Sequence, residues 1–451
     1  MESGYVMVGG GNLFISNYEK FNDDEKNEYI KMLKKLTTKT LYSFGSGLSK
    51  KTKSVDSDKY CNSMVNTIKK IRSKNKTIGD LITLYIDSGG YQCACGYIPK
   101  NEINNFVDSY AQYLEKEYET YDYAFSLDLP PFDNLFTSPD EMYEFNKYSY
   151  DKLFSLPEHV RKKILLVKHF RTPSQLKVWY KLITDELLEK FNSDYWAIGG
   201  IVASLSGEQG IPYITYSIPL SDIIRHTIQM KRNKINLHVL GGCAYRDIFF
   251  YALISRYLKL KKNIDLKFTY DSSGVIRQIL LGRFINPIDD EYNIGMLSFK
   301  SELMEKKING MTTNELVRYE IQKMLDWCDV KIEIPKNVYE GDNLEPKMEA
   351  LLTTYQLYTF TYLKYIFENF VNTITLEEFE NEDKFLDKVM PMLYKINRQK
   401  YTRKFKNKTY NLHRSILHCL YGTKEKNIQL IEHYTTKDEI KFNDGIVYDT
   451  F

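Results

Sequence analysis

Short apolar runs rich in β-branched and aromatic residues recur along the first 280 residues, and each stops abruptly at a polar residue or a glycine: LITLYIDSGG, YDYAFSLDLP, KILLVKHF, YWAIGGIVAS, NLHVLGG and LKFTYDSSG. Stretches with helical spacing fill gaps between them, at 101–118, 173–190 and 245–259, and two earlier strand candidates lie at 5–8 and 40–44. Steady alternation of strand and helix is the pattern of a parallel sheet, because a parallel neighbour is reached only through a crossover long enough to hold a helix. Eight such strands, ending near residue 275, predict an α/β fold of the (β/α)8 TIM-barrel type; a doubly wound sheet is the alternative. In the barrel, chemistry gathers at the C-terminal ends of the strands. The residues at which the runs stop are therefore the ones to inspect.

From about residue 285 the pattern becomes helical. The stretch 313–327 opens within TTNE, which offers Thr312 or Thr313 as an N-cap near Glu315. A longer helix over 346–370 carries the aromatic stripe LYTFTYLKYIFENF, read as core packing rather than a base-stacking platform. The expected organisation is a barrel over 1–284 and a helical C-terminal region over 285–451, the latter a candidate for nucleic-acid binding. At 451 residues, 43% hydrophobic and 27% charged, the chain has the composition of a globular protein with a sizeable core. A net charge of only +3 excludes a wholly basic nucleic-acid coat, so any polynucleotide surface is local. The start, MESGYVMVGGGNLF, lacks the basic and apolar regions of a signal peptide, and no stretch has the length and apolarity to span a bilayer, so cytoplasmic residence without a membrane partner is the expectation. Of six cysteines only Cys93 and Cys95 are close together, without zinc-site spacing, and neither a disulfide framework nor a cofactor is expected.

Asp87, Asp128 and Asp271 each close an apolar run, in YID, FSLD and FTYD. A single strand-end aspartate is most simply a turn or cap residue, but a barrel brings several strand ends to one mouth. Carboxylates there can attack an anomeric carbon, orient a nitrogen heterocycle or take a proton from an incoming nucleophile. Paired glycines beside them, Gly89 with Gly90, Gly199 with Gly200 and Gly241 with Gly242, allow tight turns or close ligand approach.

DSGGYQ, from Asp87 to Gln92, resembles the DSGGFQ signature of tRNA-guanine transglycosylases and of the related enzymes that install 7-deazaguanines in DNA. Agreement continues in order through SLDLP around Asp128, AIGGI around Gly199 and Gly200, HVLGG around Gly241 and Gly242, and TYDSS around Asp271, covering roughly residues 80–280. The resemblance implies a (β/α)8 barrel that exchanges guanine in a polynucleotide for a free 7-deazaguanine, such as preQ0 or preQ1. It implies that Asp271 is the nucleophile at C1′, forming a covalent glycosyl-aspartate, and that Asp87 handles the proton of the base. Asp128 would recognise the guanine-like edge, with Ser88, Gly89 and the backbone at Gly199 and Gly200 around the base. Tyr91 would clamp a flipped nucleotide; ordinary packing is its bland reading.

The departures bear on the substrate. The tRNA enzymes carry a CxCxxC zinc cluster after the nucleophile, and none follows Asp271; His413, His418 and Cys419 in NLHRSILHC are read as packing or capping residues, so structural zinc is not expected. The glutamine that the tRNA enzymes use on the strand matching KILLVKHF is not evident, and Lys168 or His169 occupies its neighbourhood as a candidate base contact. The densest basic segment, RQKYTRKFKNKTY, offers Arg398, Lys400, Arg403, Lys404, Lys406 and Lys408 to phosphates, with SKKTKS and KKIRSKNK as lesser stretches. Together these features favour DNA over tRNA, as in bacterial modification clusters and phages, where the product would alter the edges that restriction enzymes read. Transglycosylation of tRNA, a noncatalytic nucleic-acid-binding barrel and a carbohydrate glycosidase are the alternatives. A second copy of the chain, since several family members are dimers, or an accessory protein that opens the duplex, completes the implied partners.

Overall fold

The computed structural model describes residues 1–47, 55–127, 129, 136, 138–168, 170, 173–184, 187–188, 194–199, 214–272, 283–286, 295–308, 310–397 and 403–435, with the side chains of 57–61, 91, 94, 214–215, 283–286, 295–296, 397, 403–408, 410 and 432–435 outside that description. Eight parallel strands close into a barrel in sequence order: β1 (Gly4–Val8), β2 (Lys39–Ser43), β3 (Thr83–Asp87), β4 (Tyr123–Phe125), β5 (Ile164–Lys168), β6 (Tyr195–Ile198), β7 (Lys234–Val239) and β8 (Asp265–Ser272). Closure is made by β8 on β1, with Val6 in register with Asp271. The expected strands are all present, and the barrel rather than the open sheet is formed. No described helix is long and apolar enough to cross a membrane.

Alternation along each strand sorts side chains between two cores. Val6, Leu41, Tyr85, Phe125, Leu165, Val167 and Ala197 fill the lumen, whereas Leu84, Ile86, Ile164, Leu166 and Ile198 point outward into the layer beneath the helices. The outer ring includes α1 (Gly11–Tyr18), α2 (Asp23–Lys35), α3 (Ser57–Ser73), α4 (Ile103–Lys116), α5 (Pro139–Ser155), α6 (Pro173–Leu182), α7 (Ile214–Gln229) and α8 (Tyr245–Lys262). After β8 come a hairpin of β9 (Arg283–Asn286) with β10 (Gly295–Ser298), and then α9 (Thr313–Cys328), α10 (Pro346–Asn372), α11 (Glu382–Asn397), α12 (Arg403–Tyr421) and α13 (Lys424–Thr435).

The long helix α10 covers the β8–β1 seam: it packs on β1, α1 and α8, and Phe360 stacks on Tyr5 with ring centroids 4.5 Å apart. Its aromatic stripe is core, as expected, with Tyr355, Phe360 and Phe367 fully buried; the stripe's outer edge, Tyr358, Tyr362 and Tyr365, lies against Trp327 of α9. Thr312 is the N-cap of α9 and shares a capping box with Glu315, which satisfies donors at the helix start. The C-terminal helices thus complete the barrel's outer layer.

Candidate active site at the C-terminal mouth of the barrel

The pleat that carries Tyr85 into the lumen carries Asp87, two residues on, to the C-terminal mouth; the same alternation on β8 brings Thr269 and Asp271 inward. Asp271 is held from two sides. Its Oδ1 accepts a hydrogen bond from the Gly241 backbone N–H at 2.8 Å and lies 3.1 Å from Nε2 of His238, and the residue is 8% exposed. His238 comes from β7 and is fully buried, with its ring against Phe125 and Tyr85 at centroid separations of 4.7 and 5.7 Å. Its Nδ1 meets the Thr269 hydroxyl at 2.9 Å. An ionised carboxylate only accepts, so the ring nitrogen facing Asp271 carries the proton in that contact. Burial, reinforced by the Asp271 charge, pushes the nearby Cys243 thiol up to about 12, which makes it a neutral neighbour rather than a competing nucleophile.

Glycines set the backbone around these acids. Gly89 has φ +89°, and a Cβ there would stand 2.8 Å from the backbone of Gly45, so the turn after Asp87 requires both the left-handed conformation and the missing side chain. Beyond it a short helix, Gly90–Ala94, begins; Ser88 and Cys93 are buried, and Cys95 is half-buried. Gly241, at φ +77°, turns its N–H toward Asp271, while Tyr251 donates to the carbonyl of Gly242 at 3.0 Å and fills the space a Cβ would need. The HVLGG segment therefore builds the hydrogen-bonded seat of the β8 aspartate.

Other expected site residues fall differently. Lys168 does not face the lumen: on β5, Leu165 and Val167 point inward, so Lys168 turns into the barrel–helix layer. There its ammonium pairs with Asp222 of α7 and lies over the Tyr180 ring, 5.1 Å from the centroid. Burial pushes its pKa down, and the Asp222 charge opposes that. A base-contact role for Lys168 is thus replaced by a structural one. Asp222 also pairs with Arg225 and accepts from Asn427 of α13 at 3.0 Å, tying the C-terminal region to the barrel. The N–H of Gly199 donates to the Lys168 carbonyl at 3.0 Å, so it serves the barrel ladder rather than an incoming base.

Asp128, His169, Gly200, Arg398 and Lys400 lie outside the described residues, as do the side chains of Tyr91, Arg403, Lys404, Lys406 and Lys408; the backbone of 403–408 opens α12. Nε2 of His413 is 2.7 Å from the Phe379 carbonyl, that of His418 is 2.6 Å from Asn427 Oδ1, and Cys419 is buried. Among the described residues no group of three or more His, Cys, Asp or Glu side chains could hold a metal ion.

Sequence reasoning missed His238 and Thr269. The available signal was a lone histidine at an inward position of the apolar run NLHVL, three residues before the glycines. No family model and no curated protein matches the chain. Among solved structures, an uncharacterized amidohydrolase from Saccharomyces cerevisiae aligns at 9% identity over 82% of this chain and 100% of its own, with a TM-score of 0.30, a likeness too slight to bear on fold or chemistry.

Proposed function

We propose that the protein is a polynucleotide guanine transglycosylase, acting on DNA, that exchanges guanine for a free 7-deazaguanine of the preQ0 or preQ1 type through a glycosyl-aspartate. The observation that carries this reading is the buried Asp271 carboxylate at the mouth of a closed barrel, with Oδ1 restrained by Gly241 and His238, and with Asp87 ending β3 on the same rim. The ordered resemblance of DSGGYQ, SLDLP, AIGGI, HVLGG and TYDSS to the transglycosylase signatures supplies the reaction class. The missing CxCxxC cluster after Asp271 favours DNA over tRNA.

In this reading a carboxylate oxygen of Asp271 bonds to C1′ as the C1′–N9 bond breaks, and its electron pair leaves with guanine, which takes a proton from the Asp87 carboxyl. In the second half Asp87, now a carboxylate, takes the proton of the incoming deazaguanine, whose ring nitrogen attacks C1′ while the C1′–O bond electrons return to Asp271. Two inversions retain the anomeric configuration. The test is to offer radiolabelled guanine or preQ0 with duplex DNA, single-stranded DNA and tRNA in separate incubations. Label should enter DNA; entry into tRNA alone would refute the DNA assignment. Asp271→Ala should abolish exchange and covalent capture while polynucleotide binding persists, and surviving exchange would remove Asp271 from the nucleophile's role.

A further inference from the structure

We propose that His238 is the positioning residue for Asp271, with its proton fixed on Nε2 by the Thr269 hydroxyl, so that Oδ1 is held and Oδ2 is the oxygen that bonds to substrate. The chemical part rests on the transglycosylase reading; the geometry stands without it.

The proton assignment follows from the partners. Nε2 faces a carboxylate, which in its ionised form has no proton to give, so the hydrogen shared across the 3.1 Å Nε2–Oδ1 contact belongs to the imidazole. Nδ1 faces the Thr269 hydroxyl at 2.9 Å, and the other groups near that hydroxyl are the Met1 thioether sulfur at 3.7 Å and the buried Tyr85 hydroxyl. A thioether and a phenol oxygen are weaker acceptors than an imidazole nitrogen, and the Tyr85 phenol is itself a donor that the Thr269 oxygen can accept from, so Thr269 donates to Nδ1 and keeps the ring in the Nε2–H tautomer. The aromatic walls of Tyr85 and Phe125 fix the ring plane.

The three groups invite comparison with a hydroxyl–imidazole–carboxylate nucleophile system, but the order is inverted. In such triads the carboxylate orients one ring nitrogen and the other activates an exposed hydroxyl. Here the hydroxyl lies deeper in the barrel, 0% exposed, and the carboxylate, 8% exposed, stands at the mouth. Thr269 orients, His238 transmits that orientation, and Asp271 reacts.

The consequence for Asp271 is an asymmetric carboxylate. Oδ1 takes two donors, Gly241 N–H and His238 Nε2–H, and among the described residues Oδ2 takes none. Once the C1′–Oδ2 bond forms, Oδ1 is the ester carbonyl and keeps both hydrogen bonds. When that bond breaks in the second displacement, the same donors stabilise the departing carboxylate. His238 moves no proton at any step, which separates its role from that of Asp87.

The experiment pairs a spectroscopic readout with kinetics. In protein carrying 15N-histidine, the His238 ring nitrogens, assigned by their loss in His238→Gln, should show a protonated Nε2 and an unprotonated Nδ1. Thr269→Val should disturb that pattern and Thr269→Ser should restore it. In single-turnover capture on DNA, His238→Phe should slow glycosyl-enzyme formation about 10- to 100-fold, the scale of one hydrogen bond to a charged group, with polynucleotide KM unchanged. His238→Gln, which returns an N–H donor, should recover much of the loss. A protonated Nδ1 with a bare Nε2 in the wild type overturns the proposal, as does a folded His238→Phe with the wild-type capture rate or a defect confined to KM. If no polynucleotide is labelled by the wild type, the transglycosylase reading falls, and the tautomer measurement alone still decides whether His238 holds Asp271 in this way.

Discussion

Replacing Gly89 by alanine tests whether the DSGG turn is dictated by sterics. Two effects combine. The residue sits at φ +89°, where a side chain costs about 1–3 kcal/mol in backbone strain. Its Cβ would also lie 2.8 Å from both the N and Cα of Gly45, atoms of backbone that cannot escape by changing rotamer, which adds about 1–3 kcal/mol of overpacking. Alanine recovers about 0.4–1 kcal/mol by restricting the unfolded chain. The net loss is therefore about 1–6 kcal/mol. Gly96 is the internal control, since it shares a positive φ of +71° but has nothing within 4 Å of the added carbon. Gly96→Ala should stay within about 1 kcal/mol of wild type once strain and unfolded-state entropy offset one another. A chain of this length moves roughly 1 °C per kcal/mol, so calorimetry should place Gly89→Ala about 1–6 °C below wild type and Gly96→Ala within about 1 °C. Equal melting temperatures for the two variants would refute the steric argument and leave only a generic glycine effect.

Further outcomes follow from buried charges and from the basic segment. Burial raises the Asp247 carboxyl from its usual 3.8 to about 7. Its contribution to stability is therefore fully present below about pH 4 and is lost progressively as pH rises toward 7. Asp247→Asn should gain on wild type by up to ~4 kcal/mol across that window, and parallel denaturation midpoints at pH 4.5 and 7.5 would contradict it. Asp222→Ala leaves the buried Lys168 ammonium without its carboxylate and removes an acceptor of Asn427, so urea unfolding should show a loss of about 3–5 kcal/mol; a loss below about 1 kcal/mol would mean that water reaches Lys168. Reversing Lys404 and Lys406 to glutamate should weaken DNA binding and lower the slope of log K against log salt by about two, whereas an unchanged slope would take the segment off the phosphate track.

The strand ends were legible because chemistry changes abruptly there. β3 stops at Asp87 and β8 at Ser272, one residue past Asp271, as the runs YID and TYD imply. Helix ends were less legible: the helix expected over 173–190 is described as Pro173–Leu182, and that expected over 101–118 as Ile103–Lys116 preceded by a 3-10 turn, since caps and local packing decide the final turns. Lys168 illustrates a sharper failure. Its position at a strand end suggested the mouth, but the pleat gives each strand residue one of two faces, and one position separates the lumen from the helix layer.

By itself the sequence determined the alternation of strand and helix, the acids at the strand ends and the glycines beside them, because these depend on local periodicity and on backbone angles available to few residues. Tertiary structure alone decided that the sheet closes, that α10 seals its seam, and that His238 meets Asp271 across 33 residues. The last is a matter of register: β7 and β8 pair His238 with Thr269, and the pleat then brings Asp271 within reach of the same imidazole. Hydrogen bonds between neighbouring strands set that register, and no periodicity within either strand contains it.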